Sequence, residues 1–514
     1  MDDKYDVVIA GSGPAGATYA RIVKEIQPRA RVLMVEAGPG VSNPPARHVR
    51  TIKDPRERVA AQFASQGPDA NPPDYEERVA RALSPSRGRS TRVAARPGTW
   101  LLDPNAASNP ENPMPAVGLS SNVGGMGAHW SGACPWPAQG EVSPDLDPEA
   151  FAAGLAEARR LLLVTQQAFE GAPLGAEVRR LLGAHYNPGR PTDRQVQPMP
   201  LAMEIRGNNE RYWTAPGVML GDLLDTTRDD FELRAETVAK RIITRDGRAG
   251  GVLLHDRRAD RAYEVGARFV VVAADSLRSP QLLYASGIRP AALGHYLNEH
   301  TMTTSTIQLD PSLRAAATGT RRASEGAVDL LAGVSWVPYY EPTFPFHGQV
   351  TQWDASPIPV DASFEAWPGS VVECSIFMGK AGVRFEDYLE FDESKLDFFG
   401  MPAIKIHYAF TAHDQERLAQ AVAEAARMGA LLGEPINGLE PVVLPHGASL
   451  HYQGSVRLGT DDTTSVVDPA LRVWGYDNVY VGANGVIPTP AACNPTLTNV
   501  ALAVLGARDL GGQL

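Results

Sequence analysis

The sequence is short of cysteine: Cys134, Cys374 and Cys493 are the three in 514 residues. So odd and scattered a set offers no disulfide framework and no metal-ligand spacing, and it fits a reducing compartment. Positive charge is also in deficit. Against 59 Asp and Glu stand 48 Lys and Arg, a net charge of −11, which argues against nucleic acid or an anionic membrane as partner. No apolar run reaches the roughly 18 residues that a membrane-crossing helix needs. No internal repeat is visible. The opening MDDKYDVVIAGSG is acidic and enters a strand at once, so a cytoplasmic location without a secretory signal is expected. What is present, 43% hydrophobic and 21% charged residues, is the composition of a globular protein long enough for more than one domain.

YDVVIAGSGPAGATYARIVKE reads as a buried strand, a glycine turn and a helix of small residues. Gly11, Gly13 and Gly16 form G-x-G-x-x-G, with Ser12 and Ala15 between them. The first glycine permits the turn, the second lets backbone approach a pyrophosphate, and the third lets helix and strand pack closely. A second strand, RVLMVEAG, ends at Glu36 and Ala37. An acid about twenty residues beyond the glycines suits a ribose hydroxyl and repels a 2′-phosphate. A dinucleotide site follows, with FAD and NAD both open at this point.

Residues 42–98 break the pattern. They are rich in proline, arginine and polar residues, and read as a mobile insertion with a weak helix at DYEERVARAL. SPDLDPEAFAAGLAEARRLLLV predicts a helix with Asp147 as N-cap and Pro148 in its first turn. Residues 231–272 read as an antiparallel meander ending in the apolar strand RFVVVAAD. Residues 301–440 carry several strand candidates and one long helix, HDQERLAQAVAEAARMGALLG. The expected fold is α/β: a Rossmann-like nucleotide-binding domain and a second domain of antiparallel sheet plus helices. The first takes residues 1–41, 99–140, 231–300 and 441–514, and the second 141–230 and 301–440.

Two further segments carry chemistry. GGMGAHWSGACP sets His129 and Trp130 in backbone able to approach a flat ligand, although a tight buried turn with a core histidine accounts for it equally. Near the C-terminus, His451 precedes a glycine turn and Asn494 precedes Pro495 and an apolar helix. Asn494 suits an N-cap with Pro495 in the first turn. Beside a nucleotide site, a histidine also suits the removal of a hydroxyl proton near neutral pH, and an amide suits holding the same oxygen.

GSGPAGATYA with VEAG, ADSLRSPQLLYASGI, LGHYLNEHTM, HYQGSVRLG and NPTLTNVALA together resemble the glucose–methanol–choline flavin oxidoreductases, most of all the pyranose oxidases and their bacterial relatives acting on C-glycosides. The resemblance implies FAD, with Gly124, Gly127, His129, Trp130 and Ser131 against the flavin. It matches His129 to a histidine that some members bond covalently to the flavin, and adds Val238, Ala274, Asn484, Pro495 and Thr496 to the cofactor contacts. It implies oxidation of a secondary hydroxyl of a pyranose or glycoside, at carbon 2 or 3, to a ketone. His451 is then the base, Asn494 holds the oxygen, and oxygen or a quinone takes the electrons. Gln349, Gln352, Trp353 and Asp354 of HGQVTQWD are the expected substrate contacts. A family member acting on choline, a sterol or a small alcohol is the alternative.

Overall fold

The computed structural model describes residues 4–83, 93, 95–207, 210–314, 333–352, 367 and 369–514. Strand β1 (Lys4–Ala10), helix α1 (Pro14–Ile26) and strand β2 (Val32–Val35) follow the predicted order. Every residue of β2 is buried, as the unbroken apolar run requires. Two helices, α2 (Pro55–Ala64) and α3 (Tyr75–Leu83), lie in the insertion. The second was expected from DYEERVARAL. The first was hidden by its charge, yet Asp54 caps it by accepting from the Arg56 and Glu57 amides, and Pro55 starts it. Val59, Phe63 and Val79 close a small core between the two helices.

Helix α4 (Pro148–Leu162) has the Asp147 cap and the Pro148 start read from the sequence. Helix α5 (Pro173–Tyr186) follows. Next come β3 (Phe231–Arg234), β4 (Thr237–Arg245), β5 (Arg248–Asp256), β6 (Arg261–Val272) and α6 (Asp275–Ala285). The second half adds β7 (Thr301–Leu309), β8 (Val334–Val337), β9 (His347–Gln352), β10 (Val371–Met378), β11 (Tyr388–Leu396), β12 (Pro402–His407), α7 (Ala412–Ala430), β13 (Val479–Val481) and α8 (Thr496–Gln513).

The first sheet runs β4–β5–β6–β1–β2–β3, with β13 also on β6. Its centre is parallel, β6–β1–β2–β3, and β4–β5–β6 is the antiparallel meander. Strand β6 serves both parts: it pairs with β5 up to Gly266, and from there with β1 and β13. Helices α1 and α8 pack together on this sheet's core. Helix α4, which the sequence placed in the second domain, packs on α8, because Phe151, Ala158, Leu161 and Leu162 are part of that core. The second sheet is antiparallel, β7–β10–β9–β8, edged by Gly433–Pro435 and Gln197–Pro198, with α7 and α5 on its core. Strand β11 was not foreseen. It forms a hairpin with β12, and that hairpin packs on α6.

Candidate active site

A cavity of about 630 Å³ runs from the start of α1 to His451 and Asn494. At the α1 end, Gly11 has φ 111°, a left-handed conformation, and a Cβ there would lie 2.2 Å from the Ala273 carbonyl oxygen. Gly13 is the N-cap and supplies no side-chain cap to the helix amides, while a Cβ on it would meet nothing within 4 Å. Gly13, Pro14 and Ala15 line the cavity, so the first turn of α1 borders it, and a helix N-terminus suits a phosphate. A Cβ on Gly16 would come within 2.1 Å of the Gly11 carbonyl oxygen, so this glycine serves close packing and does not line the cavity.

Glu36 and Ala37 line the cavity. Glu36 is buried, accepts from the Ser12 hydroxyl at 2.7 Å and from the Gly38 amide at 3.1 Å, and burial raises its pKa. The Ser12 hydroxyl in turn accepts from the Gly124 amide at 2.9 Å. One serine thus ties the fingerprint loop to the second glycine segment. Gly124, at φ 98°, makes that contact behind the wall, whereas Gly127 is on the wall.

His129, Trp130 and Ser131 line the cavity, with Ala15, Val238, Ala274, Asn484 and Thr496. The Trp130 indole donates to the Thr214 carbonyl at 2.8 Å, which fixes the ring. The Ser65 hydroxyl donates to the Ala61 carbonyl, so its oxygen accepts from His129 Nε2 at 2.9 Å. Gly98 lies over the other ring nitrogen, where a Cβ would stand 2.4 Å from Nδ1. Burial pushes the His129 pKa down to about 3, so the ring is neutral. His48, Val49, Arg50 and Gln62 bring the insertion onto the wall as well.

At the far end, His451 Nε2 and Asn494 Nδ2 are 3.4 Å apart. Leu450, just before the histidine, has φ 61°, which for a branched residue costs about 1–3 kcal/mol. The Leu450 amide donates to the Gly447 carbonyl and the His451 amide to the Ser449 hydroxyl, which hold this turn. Burial, then the neighbouring His300, Arg96 and His347, keep the His451 pKa well below the ordinary histidine value. The imidazole is neutral at pH 7 and free to take a proton.

Asn494 is not the expected helix cap. Helix α8 starts at Thr496, Pro495 occupies the N-cap position in helical conformation, and no side chain caps it. Pro495 likewise does not line the cavity. The Asn494 side chain makes no cap: its amide N–H faces His451, and the side chain also interacts with His347.

Of the residues expected from HGQVTQWD to contact substrate, Gln349 and Gln352 are not on the cavity wall. Along β9 alternate side chains face opposite ways. Gln352 is turned from the cavity and donates to the Gly369 carbonyl at 2.8 Å. Gln349 shares the His347 face but is not on the cavity wall. Trp353 and Asp354 lie outside the described residues. The side chain of this strand nearest the catalytic pair is His347, whose Nδ1 accepts from the Trp336 indole at 3.0 Å. Alternation along β9 was the available signal, since it puts His347 and Gln349 together and Gln352 apart. His300, also missed, sits in LGHYLNEHTM just before β7. Among the described residues no cluster could hold a metal ion, and no helix is long and apolar enough to cross a membrane.

A dinucleotide fold whose cavity ends at a neutral histidine and an amide is the framework of a nucleotide-dependent oxidoreductase. Family models described as GMC oxidoreductase match residues 213–302 and 390–503. A C-glycoside 3-oxidase of Arthrobacter globiformis is 45% identical over 99% of this chain and 95% of its own length. Another from Microbacterium trichothecenolyticum is 44% identical over 99% of this chain and 97% of its own. A pyranose 2-oxidase of Tricholoma matsutake is 31% identical over 99% and 94%. The chain belongs to the GMC oxidoreductase family, whose members bind FAD. A solved pyridoxine 4-oxidase from Mesorbium loti shares the fold at a TM-score of 0.62 and 19% identity, over 98% of this chain and 99% of that one. An Aspergillus oryzae formate oxidase does so at 0.65 and 14%, over 100% and 99%.

Proposed function

We propose that this enzyme oxidises a secondary hydroxyl of a pyranose glycoside to a ketone, at carbon 3. The observation that carries the reading is the His451–Asn494 pair, 3.4 Å apart on the wall of the cavity that begins at the α1 glycines. The choice of a glycoside and of carbon 3 is supported by the names of the relatives at 44–45% identity. Oxygen, giving hydrogen peroxide, is the proposed electron acceptor, on the same ground.

The residues present fit FAD. The α1 amides and Gly13 would receive the pyrophosphate, Glu36 the ribose, and the Gly127–Ser131 segment the ring system. FAD, when bound, supplies the acceptor for the hydride that leaves the substrate carbon. The chain supplies the rest. His451 Nε2 takes the hydroxyl proton as the carbonyl forms. The Asn494 amide N–H holds the same oxygen and orients the carbon.

We infer that FAD is held without a covalent bond to His129. The support is geometric: Nε2 donates to Ser65 and Nδ1 is covered by Gly98. Acid precipitation of the yellow holoprotein should leave the colour in the supernatant, and colour in the pellet would refute this. The activity is tested by an anaerobic screen for flavin bleaching against free sugars and C- and O-glycosides, with peroxide measured on readmitting air. Bleaching by choline or a simple alcohol, but by no sugar or glycoside, would overturn the reading. The insertion, through His48 to Gln62, is proposed to cover part of the substrate entrance.

A further inference from the structure

We propose that His300, a buried residue off the cavity wall, fixes the proton of His451 on Nδ1 and thereby presents its Nε2 lone pair to the substrate. The proposal rests on the reading of His451 as the base and adds what makes it one.

Asn298 and Gln453 face each other in an antiparallel bridge, with the Asn298 amide donating to Gln453 at 3.0 Å and the Gln453 amide to Asn298 at 2.8 Å. Two residues along each strand, the same face carries His300 and His451, directly opposed. Their Nδ1 atoms are 3.0 Å apart, with the rings inclined at 75°. Such a contact needs one proton. Two lone pairs would repel in a dry interior, and two N–H groups would clash.

The backbone says which ring supplies it. His300 Nε2 contacts the Ala491 carbonyl oxygen, a group that only accepts. His300 therefore carries its proton on Nε2. A neutral imidazole has one N–H, so His300 Nδ1 is an acceptor. Burial lowers the His300 pKa to about 4, which keeps it neutral. The Gln453 amide, 2.9 Å from His300 Nε2, fits when its oxygen faces that N–H, an orientation interchangeable with its mirror in any amide. His451 must then donate from Nδ1, and its Nε2 is bare. The Asn494 amide, 3.4 Å from that Nε2, is compatible with it when its N–H side faces the ring.

The other groups around His451 are Phe377, Asn494, Arg96 and His347. Among them, His300 is the one whose ring nitrogen bonds His451 Nδ1. When His451 gains the substrate proton on Nε2, the Nδ1–H bond to His300 becomes charge-assisted and steadies the buried imidazolium. The proton cannot pass onward, because the far side of His300 already donates to a carbonyl. It must leave from Nε2, back through the cavity. His300 is accordingly a positioning residue.

The test uses holoenzyme with 15N-labelled histidine, the His451 signals being assigned by their loss in His451→Asn. Wild-type His451 should show a protonated Nδ1 and a bare Nε2. In His300→Leu the tautomers should mix, and anaerobic flavin reduction should slow on the order of 10²-fold at nearly unchanged KM, by analogy with other bases that lose the partner setting their tautomer. His300→Asn puts an acceptor oxygen where Nδ1 was, and should restore most of that rate. A proton on His451 Nε2 in the wild type would overturn the proposal. So would a rate within about twofold of wild type in His300→Leu, or equal losses in the Leu and Asn variants. If His300→Leu does not fold, the wild-type spectrum and His300→Asn decide alone. Full-rate reduction by His451→Ala would instead remove the base assignment, a separate failure from a wrong tautomer.

Discussion

At one end of the cavity the working groups are backbone amides and small residues between Gly11 and Gly16, completed by Glu36. At the other they are side chains from positions 300, 347, 451 and 494, brought together from one strand of the second sheet and three loops. The difference follows from what each end must do. Holding phosphates needs N–H groups in a fixed curve, which one strand–turn–helix unit supplies locally. Moving a proton needs a side chain of set tautomer in a dry place, and dryness comes only from elements converging from far apart. Mutations at the two ends should therefore fail differently: loss of the cofactor at the first, loss of rate with the cofactor retained at the second.

The largest effect that sharpens this contrast is expected for His451→Ala. Anaerobic flavin reduction should fall by roughly 10²–10⁴-fold, the usual worth of a general base, with flavin absorbance per chain unchanged. Loss of flavin together with rate would show that the two ends are not separable. Gly11→Ala probes the other end. Its Cβ would stand 2.2 Å from the Ala273 carbonyl oxygen at φ 111°, so the turn must open. The variant should purify largely without flavin and be less stable by about 1–3 kcal/mol in urea. A yellow protein of wild-type stability would refute the reading of that turn. Glu36→Ala should do less: FAD affinity should drop by about tenfold, read by flavin fluorescence on dilution, with the reduction rate of the bound fraction intact.

The smallest expected effect concerns pH. Next to His300 lies buried Glu299, which accepts from the Gly447 amide at 2.8 Å and the Ser449 hydroxyl at 3.2 Å. Burial pushes its pKa up from 4.5 to about 8. Between those values the native state holds a proton that the unfolded chain has released. This contribution to stability is thus fully present below pH 4.5 and lost as pH rises through 8. Glu299→Gln, neutral throughout, should flatten the decline of the denaturation midpoint between pH 5 and 9 by a few degrees, on the order expected for one group. An unchanged slope would show that Glu299 ionises normally. The cofactor end has the opposite sign. His129, at about 3, and His48, at about 4, are neutral in the fold, so their contribution is present above pH 6.5 and lost as pH falls towards those values.

The sequence by itself determined the nucleotide half. Strand, glycine turn, helix and acid are contiguous, and each is dictated by neighbours within a few residues, so local chemistry was enough. The caps at Asp147 and the apolar β6 were legible for the same reason. His451 and Asn494 were legible as candidates through the resemblance of their segments. Only the tertiary structure decided what surrounds them. The start of α8 moved by one residue and turned Asn494 from a cap into a partner of His451, because the packing of a helix end, not its propensity, sets its register. Alternation along β9 turned Gln352 away from the cavity and His347 towards the catalytic pair. The antiparallel bridge at Asn298 and Gln453 set His300 against His451, positions that no local pattern connects, since pairing across strands depends on register fixed by the whole core.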